Sequence, residues 1–168
     1  RLIRMTQTHD NLMAAFAGES QANQRYLAYA RKADQEGFTQ IPRLFRAAAV
    51  AESVHAGNHL RADNGVSSTL ENLKVALGGE NYEVESMYPP MLAAAQQEDQ
   101  KKAATSFNWA LEVEKIHAAL YSEAIENMNS AEEYEYTVCP VCGYTHKGPA
   151  PEKCPVCGAA GSKFETIK

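Results

Sequence analysis

Two Glu-x-x-His pairs, Glu52–His55 and Glu114–His117, and two Cys-Pro-Val-Cys runs, Cys139–Cys142 and Cys154–Cys157, carry the chemistry of this 168-residue chain. On a helix, residues three apart share a face, so each pair would present a carboxylate and an imidazole to one point. Those two ligand types suit transition metals. The two cysteine knuckles are separated by eleven residues. Four thiolates so arranged form a tetrahedral sulfur site, for zinc or for a single iron. One centre would therefore be built from oxygen and nitrogen donors, the other from sulfur alone.

The elements that must position these residues are four helical segments, read from their start and stop signals. The first runs from about Thr8, as N-cap, to Glu36 before Gly37; the second from Pro42 to Asn64–Gly65. The third follows Thr69 as N-cap and reaches Asp99, with Gly78–Gly79 and Pro89–Pro90 expected to weaken or kink it. The fourth spans Lys101 to Met128. Long helices with short connections predict a mainly α chain, a four-helix bundle. Residues 130–168 differ: they hold four of the seven prolines and all four cysteines, with short apolar pieces at Tyr134–Val138 and Lys163–Ile167. This predicts a small β-domain that needs its metal to fold.

Each apolar stripe contains carboxylates near mid-helix. The first reads Leu12, Phe16, Glu19, Asn23, Tyr26, Ala30; the second Phe45, Ala48, Glu52, His55. The third reads Leu73, Leu77, Glu80, Glu83, Met87; the fourth Phe107, Leu111, Glu114, His117, Tyr121. Five carboxylates on buried faces would repel one another, and desolvating each costs on the order of several kcal/mol. Two bridged multivalent cations remove the conflict. A lone Glu from each of two helices (Glu19, Glu80) and Glu-x-x-His from the other two is the ligand pattern of di-iron and di-manganese bundles. Tyr26 and Tyr88 read as core tyrosines whose hydroxyls need a partner, for which a ligand carboxylate would serve. His59 is expected at the polar surface or just outside the metal ligands, and His9 and His146 in solvent.

Net charge is −5, which argues against an electrostatic grip on nucleic acid or an anionic membrane. No apolar run suits a membrane span or a secretory signal, so the expected location is the cytoplasm. Met5 could be the native start, with residues 1–4 preceding it. No Gly-rich dinucleotide motif is found, so NAD(P)H is not expected to bind this chain directly.

The order of Glu19, Glu52–His55, Gly79-Glu80-Asn81-Tyr82-Glu83, Met87-Tyr88-Pro89, Glu114–His117 and Cys139-Pro-Val-Cys142-Gly143-Tyr144 resembles rubrerythrin from about Asn11 to Phe164. The resemblance implies a ferritin-like di-iron four-helix bundle over 1–133, followed by a rubredoxin-like domain over 134–168 with one iron held by four cysteines. Cys139, Cys142, Cys154 and Cys157 would bind this rubredoxin-type iron, with zinc possible in vitro. In the bundle, Glu52 and Glu114 would bridge two irons, Glu19 and Glu83 would serve one, and Glu80 with His117 the other. By the same resemblance His55 exchanges with Glu83 when the oxidation state changes, and Tyr26 and Tyr88 hydrogen-bond ligand carboxylates. Glu83 separates this reading from ferritins.

The activity implied is reduction of hydrogen peroxide to water in defence against oxidative stress. Electrons would come through the chain's own four-cysteine iron from rubredoxin or an NAD(P)H-dependent reductase. A tail following the end of a long helix is expected to sit far from its own mid-bundle site, so a homodimer with one tail near the other bundle is anticipated. A ferroxidase, iron-handling or oxygen-reducing role is the alternative; it leaves the cysteine tail and Glu83 without a task. A zinc ribbon on an inert scaffold is a further one, and leaves the carboxylates unexplained.

Overall fold

A computed structural model describes residues 6–130 and 132–167; residues 1–4 and Met5 lie outside the described residues. The chain divides into two compact units between Ser67 and Ser68.

The first unit is a helical hairpin of α1 (Gln7–Gln35) and α2 (Ile41–Ala62). The N-cap is Thr6 rather than Thr8: its hydroxyl accepts the His9 backbone N–H at 3.2 Å. Gly37 takes φ +83°, the left-handed conformation that ends α1 without a Cβ penalty. Pro42 sits in the first turn of α2, where its missing N–H leaves no bond unmade. The seam between the helices buries Ala30, Ala33, Ala49 and Ala56, small side chains that let the two backbones approach closely. Asn23 Nδ2 donates to the Ala49 carbonyl at 2.7 Å across that seam. His9 is not free in solvent: its Nδ1 lies 2.7 Å from Asp63 Oδ1, joining the start of α1 to the end of α2.

In the second unit, α3 (Thr69–Tyr82) is capped by Ser68, whose hydroxyl accepts the Glu71 N–H, so Thr69 is inside the helix. Gly78–Gly79 stays regular. The break falls later, in a π-helical turn over Glu83–Met87 that leads into α4 (Tyr88–Gln97). Pro89 and Pro90 lack N–H groups and their rings press on the preceding turn. Widening that turn relieves the clash, and the two prolines become the first turn of α4. A short turn leads to α5 (Lys101–Glu126).

The tail is a three-stranded antiparallel sheet of β1 (Tyr136–Val138), β2 (Thr145–Lys147) and β3 (Glu165–Ile167), ordered β2-β1-β3. The apolar pieces of the sequence mark β1 and β3 but not β2, whose Thr-His-Lys carries no apolar pattern. The tail folds back on its own α5, contrary to the expectation that it would lie far from the middle of that helix. Lys147 Nζ lies 2.6 Å from Glu123 Oε1 and 4.0 Å from the centre of the Tyr134 ring, and these contacts hold β2 against α5. His146, expected in solvent, is half-buried and stacked on Tyr144. No helix among the described residues is long and apolar enough to cross a membrane.

Candidate metal centres

Among the described residues, three groups of side chains could each hold a metal ion, and each has its ligand atoms within 4.8 Å of one another. The first is Glu19, Glu52 and His55 in the α1–α2 hairpin. His55 Nδ1 lies 2.8 Å from Glu52 Oε2, the contact expected of residues three apart on one helical face. Tyr26 packs in an aromatic cluster with Tyr29 and Phe45, ring centres 6.4 and 6.2 Å away.

The second group is Glu80 of α3 with Glu114 and His117 of α5. His117 Nδ1 is 2.7 Å from Glu114 Oε2 and 3.7 Å from Glu80 Oε1, close enough for the three donors to converge on one cation. Burial raises the Glu80 pKa to about 7; the hydrogen bond its protonated carboxyl donates to Glu114 and the charges of Glu114 and Glu83 add to the rise. Glu83, at the start of the π-helical turn, is raised by burial and by Glu114, and lowered by His117. It stands outside the three-donor group but within reach of its charges. Tyr88 is also held above its ordinary range, first by burial and then by Glu83, Glu114 and Glu80, so its phenol keeps its proton. Acids packed so that each disfavours the ionisation of the next are a donor set short of positive charge, and a divalent cation fits it.

A pH dependence follows. An acid with a higher pKa folded than unfolded binds more protons when folded, so stability falls as pH rises between the two values. For Glu80 that interval runs from about 4.5 to about 7. The metal-free protein is therefore expected to lose thermal stability as pH rises from about 5 towards 7, and loading with zinc or ferrous ion to remove the loss. Unfolding temperatures of both forms across that range check it; a metal-free curve that rises in parallel with the loaded one would contradict it.

The third group is Cys139, Cys142, Cys154 and Cys157, none in a disulfide. Each knuckle closes the same way: Gly143 N–H bonds to the Cys139 carbonyl at 2.9 Å, and Gly158 N–H to that of Cys154 at 3.0 Å. Both glycines have left-handed φ, +84° and +78°. The Cys139–Cys157 and Cys142–Cys154 sulfurs are each 3.6 Å apart. Edges of that length belong to a tetrahedron with metal–sulfur bonds of about 2.2 Å, close to the metal–thiolate bond length. Burial raises the Cys142 and Cys157 thiols. At Cys154 burial acts the same way, but the Cys157 and Val156 backbone N–H groups together with the Cys142 and Cys157 thiols outweigh it and bring the thiol down to about 7.

Thr145 carries no signal in the sequence: its hydroxyl lies 2.9 Å from His117 Nε2, linking the cysteine knuckle to the carboxylate group of α5.

Helix-borne Glu/His donor sets together with a four-cysteine knuckle define a non-haem iron protein of the di-iron carboxylate class with a rubredoxin-type centre. The rubrerythrin family model matches residues 10–125, and the model for the rubrerythrin rubredoxin-like domain matches 138–165. The chain belongs to the rubrerythrin family. It is 34% identical to rubrerythrin-2 of Clostridium acetobutylicum over 98% of this chain and 99% of that protein. It is 38% identical to nigerythrin of Nitratidesulfovibrio vulgaris, over 89% of this chain and 81% of that protein. Among solved structures, nigerythrin in its fully reduced, all-ferrous state covers 99% of this chain and 89% of its own, with 34% identity and a TM-score of 0.58. The cofactors are accordingly two irons at the carboxylates and one iron at the four cysteines.

Proposed function

We propose that this protein is a cytoplasmic hydrogen peroxide reductase acting in oxidative stress defence, fed by rubredoxin or an NAD(P)H-dependent reductase. The observation that carries the reading is the adjacency of a four-cysteine knuckle to His117, through Thr145, in one compact unit. A one-electron carrier placed against a carboxylate donor set suits redox turnover and gives iron storage no advantage.

Bound iron would supply the redox chemistry: two electrons and two protons convert hydrogen peroxide to two molecules of water. The chain's own residues do the rest. Glu19, Glu52 and His55 offer one donor set, and Glu80, Glu114 and His117 another. Glu83, close enough to respond to both Glu114 and His117, would be a further carboxylate available to the second set. Tyr88 keeps its phenolic proton in the field of three carboxylates and can donate it as a hydrogen bond to a ligand oxygen. Backbone amides of the second knuckle help to lower the Cys154 thiol.

An anaerobic titration of the fully reduced protein with hydrogen peroxide tests the proposal through the colour of the ferric four-cysteine centre. Rapid return of that colour, at about three electrons per chain, is expected. A tail that stays reduced while peroxide is consumed would overturn the relay, and no consumption at all would overturn the activity.

A further inference from the structure

The hydroxyl of Thr145 makes two contacts. It donates to the Gly143 carbonyl at 3.1 Å, and it lies 2.9 Å from His117 Nε2. A threonine hydroxyl has one proton and two lone pairs. With the proton committed to Gly143, the oxygen can only accept from the imidazole, so Nε2 carries the hydrogen. A neutral imidazole then keeps its lone pair on Nδ1, the atom that faces Glu114 and Glu80 at 2.7 and 3.7 Å.

Thr145 also belongs structurally to the sulfur site. It opens β2 three residues after Cys142 and pairs with Val138, the neighbour of Cys139. The Cys139 N–H bonds to the Tyr144 carbonyl at 2.9 Å, which fixes the backbone leading into Thr145. The position of the hydroxyl is therefore set by the folded knuckle, while the group it orients sits on α5.

We propose that Thr145 is a positioning residue that fixes the tautomer and ring orientation of His117, making the readiness of that ligand depend on the folded cysteine knuckle. This rests on the reading of His117 as a metal ligand. Partners of this kind hold a ligating imidazole in place and tune its basicity, and their loss weakens metal binding by about 10- to 100-fold.

The test uses the full-length protein with zinc in every site, which is diamagnetic, and histidine labelled with nitrogen-15. In the parent protein the His117 Nε2–H is expected to give a resonance protected from solvent exchange. Thr145→Val keeps the shape and removes the hydroxyl; it is expected to lose that protection and to weaken zinc binding at the carboxylates by about 10-fold. Thr145→Ser should restore both. An Nε2–H equally protected in Thr145→Val, with zinc affinity unmoved, would overturn the proposal. A His117→Ala protein that still binds zinc at the carboxylates with parental affinity would overturn instead the ligand assignment beneath it.

Discussion

Cys154→Ser is expected to abolish the colour of the ferric four-cysteine centre and to lower steady-state peroxide reduction by more than about 100-fold, while one round of oxidation of the chemically reduced protein survives. Cys154 is 3% exposed, and its thiol is brought down to about 7 by backbone N–H groups and the neighbouring Cys142 and Cys157 thiols, which favours its entry into the site as thiolate. Few other side chains are available to hold the tail. Among the described residues of the tail, those fully buried are Thr137, Cys139 and Cys154, two of them ligands. Metal binding therefore supplies much of the folding free energy of this small sheet, on the order of 10 kcal/mol for comparable sites. Backbone amides of β1–β3 should lose protection from hydrogen exchange in the variant, while those of α1 and α2 keep theirs. Steady-state turnover at the parental rate in a colourless variant would show that electrons bypass the tail.

The second large effect concerns Glu114. Glu114→Ala is expected to reduce metal binding at the carboxylates by well over about 100-fold, since even the loss of partners outside the ligand shell costs about 10- to 100-fold. Its effect on the metal-free protein should be a flatter dependence of stability on pH. Burial apart, the causes that raise Glu80 to about 7 are led by its hydrogen bond with Glu114 and the Glu114 charge. Without them the Glu80 pKa falls back towards the ordinary carboxylate range. The loss of stability between about pH 5 and 7 then shrinks. Iron content by elemental analysis and the unfolding temperature of the metal-free form read the two halves independently. A variant that both retains iron and keeps the full pH dependence would contradict the account of this group.

Much of the site is legible in the sequence because helical periodicity ties residue number to face. Glu52 with His55, and Glu114 with His117, meet at 2.8 and 2.7 Å because three residues are nearly one turn. The cysteine knuckles are equally local, closed by hydrogen bonds between residues four apart and by glycines in the conformation that glycine favours. Element ends are less legible. Thr6 and Ser68 cap the helices where the sequence suggests Thr8 and Thr69, since neighbouring hydroxyl residues compete for the role and only the actual path of the chain selects one. In the third segment the sequence offers two places for a break, Gly78–Gly79 and Pro89–Pro90. Glycine merely costs helix stability, whereas proline removes a donor and clashes, so only the prolines force a change.

The sequence by itself determined the donor types, their register on the helices and the two knuckles, all properties of residues a few positions apart. Tertiary structure alone decided that the tail returns to its own α5. That return depends on Lys147 meeting Glu123, 24 residues earlier, and Thr145 meeting His117, 28 residues earlier. It also decided which acids resist ionisation, because Glu80 responds to Glu114 across two helices. A hydrogen bond or a charge acts through space over a few ångströms, and no local pattern of residue types records which distant pair the folded chain will bring within that range.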